Sequence, residues 1–571
     1  MGLLYSLRRH VRLPMAVLAL TATACASLPP GQGRDEVASL VSARGHVLEQ
    51  RDETDAKKWI TDQLAQPLSV DAAVQIALAQ NPRLRSEYAR LGIASVEVYD
   101  AGRLSNPRLS ASYMFSNEAG AADQITFGLA QSFTSLLLLS TRSRLAGGEF
   151  ERVQQSVGAE ILNLAAETEA AFFDLAGAQQ MEKMRAAVAT SAGLSAGLAQ
   201  RFFDAGNITR LELSREQAAA SQARLDLLEA QGRSAGARSA LNALMGLKGA
   251  ERNWTLAPGL PVPLPKEDEL PELLRLTGES RLDLLAARKE VELLAGSLGL
   301  TRRFRYLGEM EIGVETERET DRSRITGPNF SWELPLFSQG QGAVARAQAQ
   351  MQGAEARLQE LEIAATNAVQ LASLRVANAK LRAEAYRTAL IPQREQIVAR
   401  SQEEVNYMLI GQFELLRAKQ EEYDAYQGYL EAVSNYWIAR AELAREVGTR
   451  LPSSTQATGE VLEADELTAP KGGGMQMNHE GMQMDDSGGG MEGMDYDMPM
   501  KPQGKGMKEM DHSGHGGASQ EKTAPKKDAA PAMPPPRKGE GPSDMPTGME
   551  SHIPEPAPKK SDETQQHGDH P

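Results

Sequence analysis

Between Ile325 and Leu361 the pattern of apolar and polar positions switches from the period of a strand to that of a helix. Phe330, Trp332 and Leu334 alternate with Asn329, Ser331 and Glu333, which predicts a strand with one apolar and one polar face. Pro335 and the Gly340, Gly342 pair end it. From Val344 the apolar positions are Val344, Ala347, Met351, Ala354, Leu358, Leu361, Ala365, Ala368 and Ala372, steps of three and four that form a heptad seam. Much of that seam is alanine, so a neighbouring helix can approach closely.

The same grammar extends in both directions. Leu68 onward reads as a short helix, a break at Asn81-Pro82, and a second helix to about Tyr99. Two strands follow. Leu109, Ala111, Tyr113 and Phe115 mark one face of the first, and Ile125, Phe127 and Leu129 mark one face of the second. A long helix is predicted from about Glu149 to Asp204, with a turn at Ala205-Gly206-Asn207 and a return helix to about Met245. Pro258, Pro261, Pro263 and Pro265 then read as a linker. The order repeats: a short helix at Leu270 to Leu276, another opening at Arg281, and strands at about Tyr306 to Thr316 and Arg324 to Leu334. A long helix from Ala343, interrupted at Pro392, reaches about Leu409, and a return helix covers Phe413 to Val447. Arg281 stands 200 residues after Asn81 (281 − 81), and Gly411 is the expected counterpart of Gly206. The expected segments are 1–24 as an export signal, 25–66 as an extended leader, 67–256 and 270–450 as the two copies around a linker at 257–269, and 451–571 as a disordered tail.

Two strands per copy make four, and closing a barrel takes about eight, so the missing strands must come from other subunits. The tandem repeat, the opening Arg281-Leu282-Asp283-Leu284, the junction from Gly327 to Gln341 (GPNFSWELPLFSQGQ) and the turn Arg201 to Gly206 (RFFDAG) resemble the TolC family of outer-membrane efflux channels. The sequence departs from the family at Leu282, where the pattern has proline, and at the first junction, Gln131 to Ser140. The resemblance implies a mainly α fold with a small β part. In it a homotrimer pools its strands into a twelve-stranded outer-membrane β-barrel and its long helices into a periplasmic α-helical barrel. It also implies a periplasmic adaptor of the membrane-fusion type and an inner-membrane RND-type transporter, docked at the turns near Asp204, Gly206, Gly411 and Glu414.

Composition narrows the chemistry. The 571 residues carry a net charge of −15, and no basic run is available to neutralise a phosphate backbone, which disfavours nucleic acid as a partner. Residues 47–474 hold neither histidine nor cysteine, and no phosphate-binding glycine loop is visible, so no enzyme is expected and no cofactor is required. Met310, Ile312 and Val314 alternate with Glu309, Glu311 and Glu315. The expected arrangement is an apolar face toward lipid and an acidic face toward a pore lumen that favours cations.

The ends add two expectations. Arg8, Arg9 and Arg12 precede the apolar stretch Leu13 to Leu20, and the only cysteine, Cys25, stands at the expected cleavage point. This resembles a lipoprotein signal in which Cys25 is lipidated, although Ala22-Thr23-Ala24 equally suits ordinary cleavage. From Lys471 the chain is rich in glycine, proline and charge. It nevertheless places Met475, Met477, Met482, Met484, Met491, Met494, Met498, Met500, Met507 and Met510 ahead of His512 and His515. Thioethers without a core to fill are soft ligands for Cu(I) or Ag(I). The expectation is a passive copper or silver efflux conduit. The alternatives are a cobalt, zinc, cadmium or organic-compound channel, or a periplasmic copper-sequestering protein with no pore.

Overall fold

The computed structural model describes residues 30–49, 51–456 and 460–469. The expected signal, Cys25 and the whole Met/His segment lie outside the described residues.

The chain begins with α1 (Arg34–Ser42), α2 (Glu53–Leu64), α3 (Val70–Gln80) and α4 (Pro82–Ala101). Strands β1 (Arg108–Met114) and β2 (Gln124–Ser132) lead into α5 (Phe133–Asp204), and α6 (Arg210–Met245) returns. After β3 (Leu260–Pro261) come α7 (Leu270–Ser280), α8 (Leu282–Phe304), β4 (Met310–Arg318) and β5 (Arg324–Trp332). Helix α9 (Gln341–Ala385), a π-turn at Tyr386–Leu390, α10 (Ile391–Asn406) and α11 (Gln412–Val447) complete the second copy. Then follow β6 (Val461–Leu462) and α12 (Ala464–Thr468).

The internal repeat is visible in the order of the elements and in several matched lengths. Helices α3 and α7 both have 11 residues, β2 and β5 both have 9, and α6 and α11 both have 36. Both return helices end on a left-handed glycine, Gly246 and Gly448, 202 residues apart (448 − 246). Each end is stitched to the helix break of its own copy. Asn81 Nδ2 donates to Leu244 O at 2.7 Å, and Arg281 Nη1 donates to Glu446 O at 3.0 Å. Neither glycine tolerates a Cβ, which at Gly448 would stand 2.9 Å from Arg281 Cα.

Several boundaries differ from the sequence expectation, each for a physical reason. Helix α5 starts at Phe133 rather than Glu149 and runs 72 residues, roughly 110 Å at 1.5 Å per residue. The helix runs unbroken through Gly148, where α8 comes close enough that an added Cβ would lie 2.4 Å from Leu293 Cδ2. The supposed extended leader contains α1, too short to stand alone, held because Val37 and Val41 bury fully against α5. The supposed linker and the start of the supposed tail pair as strands, Leu260 with Leu462 and Pro261 with Val461, so the folded body reaches at least residue 469. The third large strand begins at Met310, not Tyr306, and continues to Arg318.

The expected seam of α9 is real: Ala347, Ala354, Ala365 and Ala372 are buried, joined by Val369 and Val376. The two copies meet where α5 crosses α11. Phe173 stacks on Trp437 with ring centroids 5.1 Å apart, and Trp437 Nε1 donates to Pro261 O at 2.6 Å. Arg440, almost wholly buried, donates to Glu267 and to Ser453 Oγ, tying β3's neighbourhood to the chain beyond α11. At the closest approach, a Cβ on Gly177 would meet Ser434 Oγ at 2.2 Å and Ser434 Cβ at 2.6 Å. Gly177→Ala is therefore expected to overpack this crossing by about 1–3 kcal/mol. Ser434→Gly should recover most of that loss in the double variant, read as melting temperature; additive losses would show that the contact does not set the crossing.

Candidate functional site: an amphipathic sheet and a pair of helical turns

Strands β1, β2, β4 and β5 form one antiparallel sheet in the order β1-β2-β4-β5. Residues paired across antiparallel strands share a face, so the register assigns every side chain. One face carries Leu109 opposite Leu129 opposite Val314 opposite Pro328, flanked by Ala111, Tyr113, Ile125, Phe127, Ile312, Phe330 and Trp332. Its large side chains are about half or more exposed, among them Leu109, Phe127, Val314 and Phe330. The other face carries Ser110, Ser112, Thr126, Gly128, Glu311, Glu315, Asn329 and Ser331. Met114 and Ile325, near the hairpin ends, are apolar exceptions on it.

The sheet gathers two of the three expected lumen carboxylates directly. Glu311 and Glu315 lie on the polar face, and Glu309 sits one residue ahead of β4, its carbonyl accepting the Glu333 N–H at 2.9 Å. The face is less uniformly acidic than the sequence suggests. Arg108, whose partner in the register is Ala130, forms an ion pair with Glu311 at 2.7 Å, and Asn329 Nδ2 donates to Glu315 at 2.8 Å. The sequence reading missed Glu317 by ending the strand at Thr316. It pairs with Thr126 on the same face and accepts from Gln124. Uninterrupted alternation through Glu317 was the available signal.

At the far end of the helices the two turns lie side by side, with Phe202 edge-on to Phe413 at 6.2 Å. Asp204 is the last residue of α5 and accepts from Gln200 Nε2 at 2.8 Å. Gly206 takes φ +75°, with Gly206 N donating to Phe203 O and Asn207 N to Phe202 O, the Schellman arrangement. Thr209 then caps α6 through a capping box with Glu212. The second copy makes the same motif, but the expected counterpart of Gly206 is not Gly411. Gly411 is extended at φ −82° and occupies the N-cap of α11, one turn ahead of Glu414. The left-handed residue is Met408 at φ +59°, with Met408 N donating to Val405 O and Leu409 N to Glu404 O. Sequence reasoning looked for glycine and so passed over Met408. Tyr407, Met408 and Leu409 are 78%, 92% and 72% exposed, an apolar tip held in a conformation that costs a side chain of order 1 kcal/mol.

Midway along the rods, His46, the only histidine among the described residues, lies in a crevice with Glu169, Arg440, Arg445 and Arg450. Burial lowers the imidazole pKa and Arg450 adds to the effect, while Asp71 opposes it. Burial raises that of Glu169, Asp71 reinforces this, and Arg450 and Arg440 oppose it. Among the described residues no group of three or more His, Cys, Asp or Glu side chains is placed to hold a metal ion. No helix there is long and apolar enough to cross a membrane.

This combination defines a repeat protein whose half-exposed apolar sheet suits a membrane and whose helices suit a space beside it. Residues 73–247 match the family model described as outer membrane efflux protein. The cobalt-zinc-cadmium resistance protein CzcC of Cupriavidus metallidurans is 24% identical over 338 residues, 58% of this chain and 78% of that one. A membrane protein from Pseudomonas aeruginosa superposes with TM-score 0.57 at 17% identity, covering 66% of this chain and 92% of the other. CusC gives 0.55 at 15% identity over 66% and 92%, and VceC of Vibrio cholerae 0.55 at 18% over 69% and 98%. Over residues 73–247 the chain is thus similar to the outer membrane efflux proteins, and its fold is that of the outer-membrane channels it superposes on.

Two outcomes follow from this geometry. Replacing Glu311, Glu315 and Glu317 together by glutamine should lower cation over anion preference in a bilayer while assembly persists; reversal potentials that do not move in a salt gradient would contradict the lumen assignment. For His46 the folded state binds a proton less readily than the unfolded chain. Its contribution is therefore fully present above about pH 6.5 and lost as pH falls through the lowered folded value. Glu169 acts in the opposite direction, its raised pKa favouring the folded state as pH falls. His46→Gln should flatten the decline of melting temperature below that pH, and an unaltered slope would show that His46 does not contribute to it.

Proposed function

We propose that this protein is the outer-membrane conduit of a tripartite efflux pump. In this reading three copies join their sheets into a twelve-stranded barrel and their helices into a periplasmic tunnel. The observation that carries it is the four-stranded sheet itself, apolar on one exposed face, polar and acidic on the other, and open at both edges. Backbone edges left open in hydrocarbon cost several kcal/mol per unsatisfied group, and further copies of the same sheet remove them. The helices support the same assembly. Leu211, Leu225 and Leu228 on α6, and Ile363, Leu371, Leu374 and Leu381 on α9, are apolar, exposed and spaced along one side of their helices. Neighbouring protomers would cover them.

The turns at Asp204 to Asn207 and at Tyr407 to Glu414 are the proposed seats for the periplasmic adaptor, coupled to an RND-type transporter in the inner membrane. A Cys25 lipid would supplement the barrel as an anchor. The proposed cargo is Cu(I) or Ag(I), because the segment Met475 to His515 holds ten methionines and three histidines, donors suited to soft monovalent ions. A second reading, export of cobalt, zinc or cadmium, is favoured by the likeness to CzcC.

In detergent the protein should run as a trimer and conduct in planar bilayers; a stable non-conducting monomer would refute the conduit. Deleting residues 471–571 should leave that trimer folded but lower copper and silver tolerance in cells that depend on it, and a peptide of 475–515 should prefer Cu(I) to Zn(II). Full tolerance after the deletion, with a peptide preferring Zn(II), would favour the second reading.

A further inference from the structure

The helical edge of the sheet carries a feature that conduction does not use. Helix α8 ends in Arg302 and Arg303, followed by Arg305, and the equivalent exit of α4 carries Arg103, 200 residues before Arg303 (303 − 103). All four are exposed, and none has a carboxylate within salt-bridge distance among the described residues. The aromatic neighbours are specific. Arg305 lies 4.3 Å from the Tyr306 ring centroid and Arg103 lies 4.3 Å from that of Tyr99.

Two hydrogen bonds fix which side of the sheet these exits occupy. Trp332, on the apolar face opposite Met310, donates from Nε1 to Leu307 O at 2.9 Å. Gln131, on the same face opposite Ile312, donates from Nε2 to Ser105 O at 2.8 Å. Both exit loops are thus drawn toward the apolar face. The acidic neighbours Glu309 and Glu333 continue the register of the polar face instead. Beyond Trp332 the chain exposes Leu336 and, at 96%, Phe337, and Arg305 returns to pack against Gly340, whose added Cβ would stand 2.9 Å from Arg305 Cβ.

We propose that this rim of arginines, which has no carboxylate partner among the described residues, is a binding surface for anionic phospholipid headgroups in the leaflet on the helical side of the sheet. The inference rests on the membrane placement of the sheet proposed above. A guanidinium beside an interfacial aromatic meets a phosphodiester in the geometry both favour: two parallel N–H donors to two oxygens, with the ring at the boundary between hydrocarbon and headgroup. An arginine left unpaired at that depth gains most from a lipid that is itself charged. Because both copies carry the motif, each protomer offers two such places.

The test uses full-length protein reconstituted in phosphatidylcholine bilayers with and without phosphatidylglycerol, with native mass spectrometry reading the lipid retained. Wild type should retain phosphatidylglycerol preferentially and lose that preference at high salt. R302Q/R303Q, which spares the packed Arg305, should lower the preference roughly 25-fold, from about fivefold for each surface arginine, with conductance unchanged. Equal retention of both lipids by wild type, or full preference in the variant, would overturn the proposal. So would competition by free glycerol phosphate at equal concentration, since that marks a phosphate site rather than a lipid surface. Absence of insertion or conductance in either bilayer counts against the membrane reading instead, and is seen before any lipid is compared.

Discussion

Hydrogen bonding along the two free edges of a four-stranded sheet governs most of this architecture. In water such edges are tolerable, but a sheet with Leu109, Phe127, Val314 and Phe330 turned outward on one face belongs in hydrocarbon, where an unpaired N–H or C=O has no partner. The chain cannot satisfy its edges with these four strands. It leaves β1 and β5 as the two edges of the sheet, which in the proposed conduit further copies would complete. The long helices leave apolar stripes uncovered in the same way, which in the proposed assembly neighbouring protomers would cover.

The repeat makes the demand affordable with one set of solutions used twice. The equal lengths of α6 and α11, the paired left-handed glycines, and the stitches from Asn81 and Arg281 show each copy fixing its return helix to its own helix break. The copies then differ where they meet different neighbours. Gly177 and Ser434 allow α5 and α11 to touch almost backbone to backbone, and the short pairing of β3 with β6 closes the end of the chain over that crossing.

Much of this was legible in the sequence because period and punctuation suffice for it. Alternation from Leu109 to Phe115 and from Met310 to Val314 gave both faces of the sheet, and the alanine seam from Ala347 to Ala372 gave the buried side of α9. The misreadings share a cause, since each depended on a contact distant in sequence. The long helix reads as starting at Glu149 until α8 is seen to pack along the turns before it, with Leu293 over Gly148, and α1 reads as polar leader until α5 buries Val37 and Val41. At Met408 the local rule pointed to glycine, so the residue that takes the left-handed conformation could not be picked out by residue type. The metal-ligand candidates from Met475 to His515 and Cys25 are known by composition and position alone, and their chemistry rests on donor type rather than geometry.

The π-turn at Tyr386–Leu390 sets the two copies apart mechanically. Helix α5 is a single strut of 72 residues, whereas its counterpart is jointed: α9 gives way to α10 at a widened turn, where the Tyr386 ring fills the space beside Gly428. An unbroken helix passes a twist applied at its tip straight to the strand that begins it. A jointed one dissipates part of that twist in the widened turn, where the regular hydrogen-bond ladder is already interrupted. The second copy thus carries an irregular turn between its sheet and its tip at Tyr407, Met408 and Leu409, where the first copy has one continuous helix.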